Sequence, residues 1–264
     1  METISANQTD GIQAFTNERA AGYKSASTGS PLARASEITC IQHALLTAEI
    51  ENANSVVEVG AGQGFVTALL LKLLPSAATL ICIEPSSHMA AHLPDDHRLT
   101  KKICALTSAQ IPKDSVDLIV SVAAFHHIPN KYQTFLECRS ILREGGTLII
   151  IDVNHGTEAQ KWFDFVVNPH CPSRHEADFL DEDFSRVLSN RSGLRHERSY
   201  IERTPWRFDS REEMELYAQG IFCLTTNQPD IRQLINQNLT PIKNNGKYEM
   251  SWSLGVHIFT KSDI

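Results

Sequence analysis

The sequence lacks the patterns that mark several classes of protein. It has no run of five or more like charges, and its formal net charge is −7, so it lacks the basic face that DNA or RNA would need. Its apolar stretches are too short to cross a bilayer. The polar N-terminus also lacks the apolar segment of a signal peptide. We therefore expect no nucleic-acid partner, no membrane association and a cytoplasmic location.

Cysteine and histidine patterns exclude further classes. The six cysteines are scattered without a CxxC pair, which is not typical of a disulfide framework and favours a reducing compartment. His170, Cys171 and His175 do not have the spacing of a zinc signature, so we predict no metal site. The sequence also has no GxSxG elbow, which argues against a Ser-His-Asp hydrolase.

What is present is an alternation of short apolar runs with helical patterns, beginning after Pro31. Near-continuous Val/Ile/Leu strands separated by helices predict a parallel sheet that is buried on both faces. The predicted strands are 55–59, 79–84, 98–103, 116–122 and 147–153, and the predicted helices are 32–50, 65–74, 86–92 and 131–142. We therefore predict an α/β fold in one domain, over residues 31–264.

Two segments flank or interrupt this pattern. Residues 1–30 are polar and rich in Ser, Thr, Ala and Gly, which predicts a flexible arm with one short helix. Residues 155–246 are predicted to form an insertion large enough to act, together with the arm, as a lid. Within and after it the patterns predict helices at 157–169 and 176–189, a strand at 194–208, two helices in 210–238 and a closing strand at 248–261.

The loop Glu58-Val-Gly60-Ala61-Gly62-Gln-Gly64 joins the first strand to a helix. Glycines there allow a tight turn and a close approach of the backbone to a ligand. The second strand ends at Glu84, 20 residues beyond Gly64, where a carboxylate can accept hydrogen bonds from both ribose hydroxyls of an adenosine. This combination predicts a nucleoside-containing cofactor.

The spacing separates two such cofactors. The dinucleotide pattern GxGxxG, counted from Gly60, needs a glycine at the position of Phe65. The sequence reads GxGxG instead, with Glu58 two residues before the first glycine. A pyrophosphate would gain nothing from that carboxylate, whereas the amino group of S-adenosylmethionine (SAM) would. A dehydrogenase is therefore disfavoured.

Four motifs in order now point to a family. VEVGAGQG resembles motif I of class I SAM-dependent methyltransferases, and ICIEPS followed by Met89 resembles motif II. DLIVSVAAFHHIPN (117–130) resembles the segment leading out of the fourth strand, and LREGGTLIIIDV (142–153) the strand after it. The resemblance, to the small-molecule type of this family, implies a Rossmann-like fold with a seven-stranded, mostly parallel sheet, an antiparallel last strand and a helical lid from the arm and the insertion.

The resemblance also implies which residues bind SAM. The glycine loop would carry the methionine part, Glu84 the ribose and Met89 the adenine, while Tyr23 would close over the cofactor. Relatives often have an acid that binds the adenine amino group where this sequence has Leu-Thr-Ser-Ala-Gln-Ile-Pro. Either a hydroxyl of Thr107 or Ser108 substitutes for it, or adenine recognition rests more on shape and backbone groups. The cofactor residues implied are Tyr23, Glu58, Gly60, Ala61, Gly62, Gly64, Glu84, Pro85, Met89, Thr107, Ser108 and Ser121.

The chemistry is less legible than the cofactor site. His126 and His127 follow the fourth strand at the sheet edge where ligands bind, so either histidine is a candidate catalytic base, or both are packing and capping residues. Phe125, Asn154, Trp162 and Trp206 are candidate acceptor-binding residues. Methyl transfer mainly needs alignment and exclusion of water, which explains why catalytic residues leave little pattern.

We predict a methyltransferase, in specialised metabolism, that acts on an O, N or C nucleophile of a small molecule, as a monomer or homodimer. Two alternatives stay open at this point: an enzyme of the same fold that uses SAM for other chemistry such as cyclisation, and a catalytically silent SAM-binding protein.

Overall fold

The computed structural model describes residues 17–172 and 177–262. Its strands are β1 (Ser55–Val59), β2 (Thr79–Ile83), β3 (Leu99–Lys102), β4 (Val116–Val122), β5 (Leu142–Asp152), β6 (Arg195–Arg203), β7 (Trp206–Phe208), β8 (Ile242–Asn244), β9 (Lys247–Met250) and β10 (Ser253–Thr260). Its helices are α1 (Asn17–Gly29), α2 (Ala35–Thr47), α3 (Phe65–Leu73), α4 (Ser87–Ala90), α5 (Lys131–Ile141), α6 (Glu158–Trp162), α7 (Asn168–His170), α8 (Glu182–Ser192), α9 (Arg211–Ile221) and α10 (Gln228–Asn238), with a π-helical turn, Phe163–Val167, joining α6 to α7.

Within the described residues, seven strands form the main sheet in the order β3-β2-β1-β4-β5-β10-β6. β1 pairs in parallel with β2 and β4, whereas β10 runs antiparallel to both β5 and β6. The predicted seven-stranded sheet with one antiparallel strand is therefore confirmed. The chain order reverses direction between β1 and β4, which is the switch point where open α/β sheets bind ligands.

The sheet is buried on both faces because its strands are apolar on both. Val56, Leu118 and Ile149 belong to the core that includes α2 and α3. Their neighbours Val57 and Ile119 belong to a second core beneath α5 and α8. This two-sided burial is what the continuous Val/Ile/Leu runs predict for a parallel sheet.

The insertion differs from the prediction at two strands. Residues 194–208 form two strands rather than one, because the strand is interrupted at Thr204 and Pro205. The closing strand is likewise divided, at Ser251 and Trp252. β7, β9 and β8 make a separate small sheet in the described chain, and each of the two long segments turns there from one sheet to the other. Pro205, which has no N–H to donate to a ladder, lies at the first of these turns.

Helix bounds differ where side-chain caps decide them. The helix predicted over 176–189 begins at Glu182, since the Asp181 side chain accepts a hydrogen bond from the N–H of Phe184 at 2.7 Å. The short helix predicted over 86–92 is reduced to α4, capped by Ser86. Residue 176, the first of the former prediction, lies outside the described residues.

The arm contains a helix of 13 residues, α1, in its described part. α1 packs closely on α9 of the insertion through small residues: a Cβ placed on Gly220 would lie 3.0 Å from the Cβ of Ala26, and one on Gly22 would lie 3.4 Å from the carbonyl oxygen of Gly220. The arm and the insertion are thus in direct contact. Residues 1–16 lie outside the described part of the chain.

Candidate active site

The candidate active site lies at the carboxyl edge of the main sheet. The glycine loop follows β1, Glu84 follows β2, a 3₁₀ turn (Phe125–His127) follows β4, and Asp152 ends β5. Parallel strands present these ends on one side of the sheet, on either side of the switch point. The sequence motifs that lie far apart in the chain are therefore neighbours along one edge.

The glycine loop needs glycine at the positions where the backbone is left-handed or crowded. Gly60 has φ +76°, and a Cβ there would lie 2.2 Å from the Cβ of Ala124. Gly64 has φ +90°, and a Cβ there would lie 2.9 Å from Pro94. Backbone N–H groups of Gly60 and Ala61 both donate to the carbonyl oxygen of Ile83, at 2.8 and 3.1 Å. The loop is thus folded tightly over the end of β2.

The Glu84 carboxylate fastens this loop. It accepts a hydrogen bond from the Gly62 N–H at 2.8 Å and another from the Ser86 N–H at 2.9 Å. Burial raises the pKa of Glu84, and the two N–H donors oppose that shift. Each carboxylate oxygen can accept a further hydrogen bond beyond its N–H partner. The group therefore has capacity left for two ribose hydroxyls at the predicted position.

Met89 lies beneath the loop. Its side chain is buried, and its terminal methyl group lies 3.6 Å from where a Cβ on Gly62 would be. Pro85 is half-buried beside Glu84. These placements put the motif II residues against the glycine loop, as an adenosine site requires, and their contact with adenine stays a prediction.

Glu58 faces away from the open side of the loop. Its carboxylate is buried and accepts hydrogen bonds from the Thr67 hydroxyl at 2.6 Å and the Cys82 thiol at 3.3 Å. Burial raises the pKa of Glu58 to about 7, against these hydrogen bonds. These contacts brace β1 against α3, and contact of Glu58 with the amino group of SAM stays a prediction.

The remaining predicted cofactor residues lie in separate parts of the structure. Ser121 is buried, and its hydroxyl donates to the carbonyl oxygen of Val59 at 3.0 Å, which ties β4 to the start of the loop. Thr107 and Ser108 are exposed in a 3₁₀ turn after β3. Tyr23 is half-buried on α1 and hydrogen-bonds to Arg34 at 2.8 Å. Gln63 of the glycine loop donates to the carbonyl oxygen of Ala20 at 2.8 Å, so α1 touches the loop directly.

His126 and Asp152 form a buried pair. Nδ1 of His126 lies 2.7 Å from one Asp152 oxygen, and the backbone N–H of His126 donates to the other at 3.0 Å. The His126 ring is surrounded by the rings of His127, Phe163 and Phe179, with centroids 4.1 to 6.0 Å away. A carboxylate held on Nδ1 fixes the tautomer with the proton on that nitrogen, so Nε2 is the atom that can accept a proton. His127 is only half-buried.

The predicted acceptor residues are not gathered in one place. Phe125 lies in the core under α5, packed edge-on against Phe135 at 5.7 Å. Trp162 and Trp206 lie in the other core, where each ring centroid is 5.9 Å from that of Phe222. The Asn154 amide donates to the carbonyl oxygen of His155 at 2.9 Å. Acceptor contacts by these four residues stay predictions, and their observed contacts are ring packing and hydrogen bonds within the protein.

Sequence reasoning missed three groups that the structure brings to the site. Asp152 was recognised only as the end of a strand, and Arg34 and Glu37 as part of an amphipathic helix. An Arg-x-x-Glu pair at the start of a helix usually forms an exposed ion pair, so the pattern carries no signal of burial. Within the described residues, no cluster of three metal-ligating side chains is present; His175 lies outside them.

The comparisons with known proteins concern the family and the fold of this chain. A family model described as a methyltransferase domain matches residues 57–150. The phosphoethanolamine N-methyltransferase 2 of Haemonchus contortus, solved with S-adenosyl-L-methionine, aligns with a TM-score of 0.64 at 14% identity, over 99% of this chain and 61% of that one. The YcgJ protein of Bacillus subtilis aligns with a TM-score of 0.60 at 16% identity, over 84% of this chain and 98% of that one. This chain carries a class I SAM-dependent methyltransferase domain.

The predicted family, fold and cofactor are thereby confirmed. A curated relative, the malonyl-[acyl-carrier protein] O-methyltransferase of Paenibacillus sp. (strain JDR-2), is 33% identical over 136 residues, which are 47% of this chain. The chain matches about half the length of that relative (49%). No helix among the described residues has the length and apolarity to span a membrane.

Replacing Gly60 with alanine tests the tight loop. The added Cβ cannot occupy its place beside Ala124, and the left-handed backbone is itself unfavourable for alanine. We expect Gly60→Ala to weaken binding of S-adenosylhomocysteine (SAH) by at least about tenfold, which corresponds to 1.4 kcal/mol. Titration calorimetry measures this, with Gly29→Ala as the control, because a Cβ at Gly29 has no atom within 4 Å. Equal affinities for Gly60→Ala and the wild type would contradict the loop's role.

Proposed function

We propose that this protein transfers the methyl group of SAM to an O, N or C nucleophile of a small molecule, in the cytoplasm and in specialised metabolism. The observation that carries the proposal is the hydrogen bond between the two cofactor motifs, in which the Gly62 N–H donates to the Glu84 carboxylate at 2.8 Å. A glycine cradle without room for a Cβ and a carboxylate with spare acceptor capacity fit the methionine and ribose parts of SAM.

The arm and the insertion support a small acceptor. α1 contacts the glycine loop through Gln63 and the insertion through Gly220, so it covers the region between them. The segment before α8 crosses the same edge, since the Asp178 N–H donates to the carbonyl oxygen of His126 at 3.1 Å and the His155 N–H to that of Leu180 at 2.8 Å. A covered edge of this kind excludes water and admits small molecules more readily than a folded protein.

His126 is the proposed general base. SAM bound at the loop supplies an electrophilic methyl group, and a hydroxyl or amine acceptor must lose a proton in the course of transfer. Asp152 holds the proton of His126 on Nδ1, leaves Nε2 to accept one, and stabilises the imidazolium that forms. The aromatic rings around His126 keep the pair away from bulk water. In such a water-excluded environment the Asp152 carboxylate stabilises the imidazolium more strongly than it would in water.

The experiment that tests the function has two stages. SAM and SAH are expected to raise the melting temperature and NAD is not, because a ligand stabilises only the state that it binds. Protein that passes this stage is incubated with methyl-labelled SAM and a panel of hydroxyl, amine, carboxyl and activated-carbon acceptors, including a malonyl thioester on its carrier protein. The proposal predicts label in a small-molecule product.

Three results of this experiment would overturn the proposal in different ways. A shift with NAD and none with SAM or SAH would contradict the cofactor. Consumption of SAM without a methylated product would favour other SAM chemistry. Binding of SAM with no turnover across the panel would favour a silent SAM-binding protein.

A further inference from the structure

A buried polar network joins the arm to the insertion. Arg34, just before α2, donates through Nη1 to the Tyr23 hydroxyl at 2.8 Å and through Nε to Glu37 at 2.5 Å. The other Glu37 oxygen accepts from the indole N–H of Trp206, on β7, at 2.6 Å. Tyr23 and Trp206 are thus connected, across 183 residues of sequence, by one ion pair.

The ion pair is enclosed by protein. The exposed fraction of the side chain is 11% for Arg34 and 1% for Glu37. Burial alone would lower the pKa of Arg34, but the Glu37 carboxylate, together with Tyr23 and Tyr217, more than offsets it, so the net shift of the pKa is upward and the guanidinium is firmly charged. A buried ion pair is seldom more stabilising than apolar packing of the same volume, so its presence points to a requirement for specific geometry.

The network also reaches the cofactor loop. The Arg34 guanidinium carbon lies 4.5 Å from the ring centroid of Phe65, which directly follows Gly64. One turn before Tyr23 along α1, the carbonyl oxygen of Ala20 accepts the hydrogen bond from Gln63 of the loop. The guanidinium therefore contacts Tyr23 of the arm and Phe65, the first residue of α3. It also contacts Glu37, which in turn binds Trp206 of the insertion.

We propose that Arg34 and Glu37 are positioning residues that hold Tyr23 and α1 over the SAM site and register this cover against Trp206 of the insertion. This inference rests on the proposed function, because it assigns the covered site to SAM. Its consequence is that SAM affinity depends on the hydroxyl of Tyr23 only while the ion pair is present to hold it.

A double-mutant cycle on SAH affinity tests this dependence in the full-length protein. Tyr23→Phe removes the hydroxyl alone. Arg34→Met combined with Glu37→Gln removes both charges together, so that neither is left unpaired, and keeps an amide oxygen for the Trp206 N–H. Ser25→Ala is the matched control, since it also removes a hydroxyl from α1, and Ser25 is exposed and lies two residues from Tyr23.

We expect Tyr23→Phe to raise the Kd of SAH about tenfold, the loss of one hydrogen bond to a charged group, and Ser25→Ala to leave it unchanged. Adding Tyr23→Phe to the Arg34→Met/Glu37→Gln protein should change the Kd by less than about twofold, because residues in one network are not additive. The melting temperature of Tyr23→Phe should stay within about 2 °C of the wild type, because this bond holds the arm, which can open without unfolding the core. A purely structural hydroxyl would instead move the melting temperature and leave the Kd alone.

Two outcomes would overturn the inference. In the first, Tyr23→Phe binds SAH as the wild type does. In the second, the effects of Tyr23→Phe and of the charge-removing pair multiply, so that the hydroxyl acts independently of Arg34. Both presuppose that the wild-type protein binds SAH, and a wild type that does not bind SAH overturns the proposed function instead, and this inference with it.

Discussion

Replacing Glu84 with alanine is expected to weaken SAH binding by about 100-fold or more. Hydrogen bonds to a charged group contribute about 1.5–3 kcal/mol each, and the carboxylate would accept one from each of the two ribose hydroxyls. The same change releases the N–H groups of Gly62 and Ser86, which the carboxylate now holds at 2.8 and 2.9 Å. The glycine loop would therefore lose its fastening as well as its ribose partner. Titration calorimetry with SAH measures the effect.

Asp95→Ala is the control for this experiment. Asp95 is also an acid, but its side chain is fully exposed, and it forms an exposed ion pair with Lys101 at 3.1 Å. Loss of such a pair alters stability by at most about 1 kcal/mol and should leave the Kd of SAH unchanged. An unaltered Kd for Glu84→Ala would mean that the ribose does not bind at the end of β2.

The second large effect is expected at His126. General-base catalysis contributes on the order of 10²–10⁴ in rate, so His126→Gln should lower turnover of a hydroxyl or amine acceptor by about 100-fold or more. SAH binding should change by less than about threefold, because the cofactor motifs are untouched. The control is His97→Gln, whose side chain is 83% exposed after β2. Initial rates with an acceptor identified from the panel measure the loss.

The pH profile separates a base from a packing residue. If His126 removes the acceptor's proton, turnover by the wild type and by His126→Gln should differ in pH dependence, because the variant has no imidazole to accept that proton. His257 lies close to the pair, and burial lowers its pKa to about 4, so it is neutral through the neutral range. Lys131 is buried and pairs with Asp178 at 3.4 Å, and burial lowers its pKa. pH profiles of the same shape for the two proteins would show that another group is the base.

The sheet and the cofactor loop were predictable because their signals are local. Continuous apolar runs mark strands that are buried on both faces, and Gly60 and Gly64 mark positions that no Cβ can share with Ala124 and Pro94. Glu84 was predictable from its distance along the chain, since it must end the strand that follows. Each of these features depends either on residues nearby in the sequence or on the strand–helix unit that repeats along the chain.

The insertion and the network were not predictable for the opposite reason. Trp206 reads as an aromatic on a strand, and only the fold reveals that its N–H meets a carboxylate 169 residues away. The strand break at Thr204 and Pro205 depends on a second sheet whose other strands follow 40 residues later. Side-chain partners at such distances are set by tertiary packing, which neither periodicity nor propensity encodes.

A crystal structure with SAH is the most direct test of whether SAM binds between the glycine loop and Glu84. We expect the methionine part of SAH to lie against Gly60 and Gly62, and both ribose hydroxyls to lie at hydrogen-bond distance, about 2.5–3.0 Å, from the Glu84 carboxylate. We also expect α1 in place over the ligand, with Tyr23 still bonded to Arg34. SAH bound elsewhere, or bound at this edge with its ribose away from Glu84, would show that this assignment of the cofactor site is wrong.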